Sequence, residues 1–270
     1  MAEETISKGY VLVLDVGNSN ITAGVFSQDN LLFSFRLRTN INLTEDQYYT
    51  QIKQLLEINK TAVSDIKGAI VGSVVPVITE SFTGMIKKYF GFKPVTIGPK
   101  TKLNIKNKYR NKNEVGDDRL ANAAKAYNVN KGKDTIIIDL GTSINFDVLD
   151  KKGNFLGGAI MPGIYMSLHA LFARTAKLPK INLKYVDIGI GKTTEQSITS
   201  GVLNGIIGGI NETVKMIKKE MKIKDVTIIF TGGEVNPLVI KRLNEKRVIK
   251  DSDFTLKGFK LIYDMNVRKR

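Results

Sequence analysis

Apolar residues run unbroken from Tyr10 to Leu14 and end in the polar string Asp15-Val16-Gly17-Asn18-Ser19-Asn20, after which Ile21 to Phe26 resumes a strand-like pattern. Gln28-Asp29-Asn30 supplies a turn before a third such stretch, Leu31 to Leu37, so the opening predicts a strand meander. Thr44 followed by Gln47 has the spacing of a capping box, and Tyr48, Ile52, Leu55 and Leu56 then recur at helical intervals, which predicts a helix to Ile58. Ile66 to Val75 is a buried-strand pattern stopped by Pro76, and Ser81 to Phe90 has the apolar spacing of a second helix.

A second beginning follows. After Gly116-Asp117-Asp118-Arg119, the stretch Leu120 to Tyr127 predicts a helix with acidic residues at its start, where the helix dipole favours them. Thr135 to Ile138 is a β-branched run ending in Asp139-Leu140-Gly141-Thr142-Ser143. Strand patterns at Phe146 to Leu149 and Phe155-Leu156 then flank the turn Lys151-Lys152-Gly153-Asn154. Helical spacing covers Ile164 to Leu171 and, as the longest helix, Ser200 to Met221; Val226 to Phe230 is a buried strand closed by Thr231-Gly232-Gly233. LVLDVGNSN and IIIDLGTSIN are a weak internal repeat of apolar strand, Asp, Gly and small polar residues. It predicts two similar α/β halves, residues 1–115 and 116–270, each presenting a carboxylate and a glycine turn to a central cleft.

Composition narrows the chemistry. The 270 residues are 42% hydrophobic and 25% charged, which suits a globular protein with a sizeable core and excludes collagenous, coiled-coil and disordered chains. No apolar run approaches the roughly 20 residues needed to cross a bilayer. The opening MAEETISKGY is polar and acidic rather than basic then apolar, so neither membrane nor leader is expected and the location expected is cytoplasmic. There is no cysteine and one histidine, His169, which rules out thiolate chemistry and Cys- or His-cluster metal sites and leaves carboxylates, lysines, hydroxyls and backbone amides. His169 lacks the orienting partners of a base and is expected to have no catalytic role. A net charge of +15 suits an anionic partner, but the basic residues are scattered (Lys87-Lys88, Lys106-Asn107-Lys108, Lys218-Lys219, Arg268-Lys269-Arg270), without the dense tract of a nucleic-acid channel. Charge alone does not choose among nucleic acid, a phospholipid surface and a nucleotide; a solvated lysine-rich surface is the plainer reading, and nucleic acid is not the expected partner.

A glycine turn directly after a strand-terminal Asp lets backbone N–H groups approach a phosphate that a side chain would block, and the Asp can accept from a hydrated magnesium ion. One such turn is an ordinary turn; two in matching contexts, with Gly232-Gly233 after a third strand, resemble the two phosphate loops and adenosine loop of the acetate and sugar kinase, heat-shock protein and actin superfamily. Within it, the chain from about Tyr10 to Tyr263 resembles type III pantothenate kinases. The resemblance lies in Asp15-Val16-Gly17-Asn18-Ser19-Asn20 with Gly24, then Glu114-Val115-Gly116-Asp117-Asp118-Arg119-Leu120-Ala121-Asn122, then Asp139-Leu140-Gly141-Thr142. It continues through Gly157-Gly158-Ala159-Ile160-Met161-Pro162-Gly163, Ala176-Lys177-Leu178-Pro179, Gly191-Lys192-Thr193-Thr194 and Thr255-Leu256-Lys257-Gly258.

The resemblance implies two ribonuclease H-like or actin-like halves and an ATP-dependent phosphorylation of pantothenate that opens coenzyme A synthesis. By the same resemblance Asp118 is the carboxylate that takes the proton from the pantothenate hydroxyl, and Tyr109, Gly116, Arg119 and Thr194 bind substrate, Thr194 from a second subunit of a homodimer. Asp15, Val16, Gly17, Asn18, Ser19, Asn20, Gly141, Thr142, Gly232 and Gly233 contact ATP; Asp15 holds magnesium and Asp139 a monovalent cation, potassium or ammonium.

Two departures stand out. Ser143-Ile144-Asn145 leaves fewer hydroxyls after the second phosphate turn than the family usually has, and Asp117 stands where a small residue is usual, which would raise the pKa of Asp118 or help bind cation. The +15 charge and the altered Ser143-Ile144-Asn145 string keep open a non-catalytic accessory or regulatory member of the family, against which Asp15, Asp118, Arg119 and Asp139 argue; a kinase of another small hydroxylated metabolite differs from the first reading only at the substrate positions.

Overall fold

The computed structural model describes residues 9–174 and 178–267. In chain order the first strands and helices are β1 (Tyr10–Val16), β2 (Asn20–Ser27), β3 (Asn30–Arg38), α1 (Glu45–Ile58), β4 (Ile66–Ser73), α2 (Pro76–Met85), β5 (Val95–Thr96), β6 (Lys106–Asn107) and α3 (Asp117–Val129). Then come β7 (Thr135–Leu140), β8 (Ser143–Leu149), β9 (Asn154–Pro162), α4 (Ile164–Ala173) and α5 (Thr194–Met221). The last are β10 (Thr227–Thr231), α6 (Pro237–Lys241), β11 (Val248–Lys250) and α7 (Phe254–Asn266). Ala176, Lys177 and the Arg268-Lys269-Arg270 string lie outside the described residues.

The chain divides into two compact units. One holds the described residues up to Asn104, with Asn111–Lys125 and those from Phe254 on; the other holds Ile105–Arg110 and Ala126–Asp253. The division is therefore not the single cut at residue 115 read from the repeat. The start of α3 and the whole of α7 return to the first unit because their apolar faces are buried there, against Val13, Phe26 and Ile70 of the first sheet.

The repeat itself reappears as topology. The first sheet has the order β3-β2-β1-β4-β5, and the second contains β9-β8-β7-β10-β11 with β6 added at its β9 edge. In each, the first strand of the repeat pairs antiparallel with the second and parallel with the fourth. β1 reads as a continuous apolar run because both its faces are covered: Leu12, Leu14 and Val16 enter the core with α1 and α2, Val13 the core with α3 and α7. On β7, Ile136, Ile138 and Leu140 enter the core shared with α4 and α5. A strand held on both sides makes a rigid mount for the carboxylate near its end, Asp15 in β1 and Asp139 in β7.

Helix starts follow local chemistry. Thr44 and Gln47 form the expected capping box. α2 begins at Pro76, five residues before the predicted Ser81, because proline is preorganised for a first helical turn; it continues into a wide π-helical turn, Ile86–Phe90. α5 starts at Thr194, capped by the Thr193 hydroxyl, rather than at Ser200. α7 had no strand or helix prediction. Close approach places it: a Cβ on Gly258 would lie 2.3 Å from the Ala121 carbonyl oxygen, and one on Gly72 2.0 Å from the Phe259 ring.

Candidate active site

In the first unit Asp15 is half-buried at the end of β1, beside Thr22 of β2 and Gly72 of β4. The turn beyond it is held from behind. Gly17 N–H donates to the Asn20 carbonyl at 3.0 Å, the Thr39 hydroxyl donates to the Gly17 carbonyl at 2.7 Å, and Thr39 N–H donates to the Ser19 carbonyl at 3.1 Å. Asn18, Ser19 and Asn20 are exposed, so the open side of this turn can meet a ligand. Thr39 as the brace was missed in the sequence, where nothing marks the residue after β3.

The same unit carries Gly116, Asp118 and Arg119 at the start of α3. Asp118 Oδ1 accepts the Arg119 N–H at 2.8 Å, and a Cβ on Gly116 would lie 2.5 Å from that oxygen, so a larger residue there would push the Asp118 carboxylate from its place. Burial raises the Asp118 carboxyl above its ordinary pKa, against the opposing pull of the Arg119 N–H and charge. Burial also pushes Asp117 up to about 6; the Ser73 N–H it accepts works against this and the Asp118 charge adds to it. The effect of one carboxyl on the other, expected at Asp118, is thus felt at Asp117, and the rise of Asp118 comes from burial.

In the second unit two loops close on the Gly141-Thr142 turn. Gly163, the residue before α4, donates its N–H to the Thr142 carbonyl at 3.0 Å, and a Cβ there would sit 2.2 Å from the Gly141 carbonyl oxygen. Glu234 N–H donates to the Leu140 carbonyl at 3.0 Å, and the Glu234 carboxylate accepts the first N–H of α4, from Ile164. Gly232, with φ +96°, passes so close that a Cβ would lie 2.5 Å from Asp139 Oδ1. Ser143 donates its hydroxyl to Asn145 Oδ1 at 3.2 Å, so the altered string after the turn pairs with itself.

No group of three or more acidic or histidine side chains among the described residues could cage a metal ion. Single carboxylates at strand ends, Asp15 and Asp139, fit instead a hard cation that takes its remaining oxygens from water and from a phosphate chain. Beside Asp139 in the sheet register, the Thr231 hydroxyl is wholly buried without a hydrogen-bond partner, a further oxygen at the same strand end.

Tyr109 packs over Gly157 and lines a cavity of about 760 Å³ with Leu156, Glu212 and Met216. Thr194 lines another, of about 870 Å³, with Ser167, Lys192 and Ser197. Within one copy of the chain these two predicted substrate residues are not brought together.

Glu234 was not singled out in the sequence. Burial pushes its carboxyl up to about 7, and its Oε2 is buried without a partner. A folded pKa above the unfolded value favours the native state most at pH below about 4.5, and that contribution is lost as pH rises through about 7. Relative to Glu234→Gln, the wild type should lose on the order of 1 kcal/mol between pH 5 and 8, discounted because the group is partly exposed to solvent. The melting-temperature difference should move by a few degrees. Parallel melting profiles would remove Glu234 as the titrating group.

The sequence profile of a family described as type III pantothenate kinase matches residues 11–216. A type III pantothenate kinase of Finegoldia magna is 43% identical over 258 residues, covering 95% of this chain and 97% of that protein. One of Bacillus cytotoxicus is 39% identical over 256 residues, covering 95% and 96%. Among solved structures, a ROK family glucokinase from Streptomyces griseus in complex with glucose and AMPPNP is similar in fold, with TM-score 0.57 and 14% identity, covering 96% of this chain and all of that one.

Proposed function

The chain belongs to the type III pantothenate kinase family, and from that premise we propose that it transfers the γ-phosphoryl group of ATP to the hydroxyl of pantothenate, giving 4'-phosphopantothenate and ADP at the first step of coenzyme A synthesis. The family match over residues 11–216 carries this assignment. Phosphoryl transfer asks mainly for positioning and charge neutralisation. Asp118 accepts the proton of the attacking hydroxyl, and its raised pKa suits a proton acceptor near neutral pH. The Gly17 and Gly141 N–H groups close their own turns onto the Asn20 and Ser143 carbonyls, so it is the backbone beyond them, at Asn18–Asn20 and at Thr142, that approaches phosphate oxygens, and Gly232-Gly233 borders the nucleotide. Gly116 and Arg119 stand beside the base and bind pantothenate together with Tyr109.

Magnesium, held through Asp15, would neutralise charge on the transferred group; potassium or ammonium, held through Asp139, would do so along the triphosphate. Thr194 reaches the substrate of the other subunit in a homodimer. This accounts for its lying in a different cavity from Tyr109 within one copy, and it fits the apolar residues Ile160, Tyr165, Met166 and Ile190, which are exposed on β9, on α4 and ahead of α5. The cytoplasm belongs to the same reading, since ATP is the phosphoryl donor; among the described residues no helix is long and apolar enough to cross a membrane.

ADP release with pantothenate, in a buffer based on a bulky organic cation and at constant ionic strength, tests these assignments. Potassium or ammonium should activate, sodium should be poorer, and Asp139→Ala should lose the response. ADP release with another hydroxylated metabolite but not with pantothenate would reassign the substrate. A rate indifferent to cation identity would give Asp139 another role.

A further inference from the structure

We infer that Asp117 is a positioning residue that fixes the catalytic base by tying the first turn of α3 to the end of β4. The inference rests on the reading of Asp118 as that base. Asp117 Oδ2 accepts the backbone N–H of Ser73 at 2.9 Å, across 44 positions of sequence. Ser73 is the last residue of β4 and stands in register with Val16 of β1; the next N–H, from Val74, donates to the Val16 carbonyl at 3.0 Å. Two successive amides of one strand end thus face opposite ways in the hydrogen-bond network, one to the strand that carries Asp15 and the other to the helix that carries Asp118.

The anchor itself is stiff. The Ser73 hydroxyl accepts the Val75 N–H at 2.9 Å and donates to the Val75 carbonyl at 3.0 Å, closing the turn into α2, where Pro76 has no N–H to rearrange. On the helix side, Gly116 is pressed so close that a Cβ would lie 2.5 Å from Asp118 Oδ1 and 3.1 Å from a Val74 methyl. Asp118 uses its Oδ1 within the helix, on the Arg119 N–H. Asp117 is therefore the side chain of the acidic pair that joins the base-bearing turn to the sheet. A base held through one such bond should lose aim when the bond is removed, and misplacement of about 1 Å can cost on the order of 100-fold in rate.

The test compares Asp117→Ala, Asp117→Asn, Asp118→Asn and the double variant Asp117→Ala/Asp118→Asn in the full chain, by steady-state kinetics and by amide hydrogen exchange at Ser73. Asp117→Ala should lower kcat about tenfold or more and leave the KM for ATP within about twofold, because the change acts on the aim of the base. Exchange at Ser73 should quicken by about tenfold, as expected when a local hydrogen bond is lost. Asp117→Asn keeps an acceptor oxygen for Ser73 and should restore most of both. In the Asp118→Asn background, Asp117→Ala should cost nothing further, since Asp117 acts through Asp118.

Unchanged exchange at Ser73 in Asp117→Ala, an Asn variant as impaired as the Ala variant, or a further loss added to Asp118→Asn would each overturn the inference. If Asp117→Ala does not fold, Asp117→Ser, whose hydroxyl is one bond short of the carboxylate oxygen that meets the Ser73 N–H, takes its place with the same expected losses and is compared with the Asn variant in the same way. A fully active Asp118→Asn would instead sink the reading of Asp118 as base, and it shows in the single variant before Asp117 is touched.

Discussion

Asp118→Asn should lower turnover by about 100-fold or more, the span usually supplied by a positioned general base, equivalent to about 2.7 kcal/mol of transition-state stabilisation. The loss should fall on kcat, with the KM for pantothenate and for ATP nearly unchanged, because the proton is taken only as the hydroxyl attacks. The fold should survive, since the asparagine oxygen can still accept the Arg119 N–H that Asp118 Oδ1 accepts at 2.8 Å. The wild type should also show an acid limb. Asp118 must be ionised to take a proton, and burial raises its pKa, so the rate falls as pH drops through that raised value. The residual activity of Asp118→Asn should be flat over the same range. Steady-state rates on pantothenate from pH 5 to 9 check both. A kcat within a few-fold of wild type would remove Asp118 from the reaction, and an Asp117→Asn variant more impaired than Asp118→Asn would move the base by one residue.

The sequence repeat was legible because it is enforced by pairing: β1 and β7 are each covered on both faces and held on both edges, so their residues must be apolar up to the carboxylate. The glycine turns after those carboxylates were legible for a related reason, since glycine marks where backbone must come close. α7 was not, because Gly258 interrupts its helical pattern for the sake of contact with Ala121, and that contact spans more than half the chain. The first unit's boundary was hidden by the same fact. Glu234 and Thr39 carry no local signal either. Their partners, Ile164 and Leu140 for one and Gly17 and Ser19 for the other, become neighbours only when separate loops converge. What a single sequence displays is the residue that a site needs by type; the residues that hold it in place are fixed by tertiary distance.

Gly232→Ala should be the most damaging single methyl group in the second unit. At φ +96° an alanine is strained in any surroundings, and here its Cβ would lie 2.4 Å from the Leu140 carbonyl oxygen and 2.5 Å from Asp139 Oδ1. The Leu140 carbonyl is backbone and cannot yield. Leu140 and Asp139 end the central strand β7, paired on one side with β8 and, at Asp139, with β10 on the other, and the Leu140 carbonyl already accepts the Glu234 N–H. The loop must therefore lift away, breaking that bond and drawing the Glu234 carboxylate off the first N–H of α4. Backbone strain and a lost local network together should destabilise the protein by about 2–4 kcal/mol, which lowers the melting temperature by several degrees or more. Because the same loop borders the Gly141-Thr142 turn, the KM for ATP should rise about tenfold while the KM for pantothenate changes little. Gly208→Ala is the matched control. Nothing lies within 4 Å of a Cβ at Gly208, inside α5, and the change should stabilise by about 0.5–1 kcal/mol through helix propensity alone. Thermal melts and ATP titrations on both variants decide the matter: a Gly232→Ala protein with wild-type melting temperature and wild-type KM for ATP would show that the Gly232-Gly233 loop neither presses on the Gly141-Thr142 turn nor borders the nucleotide.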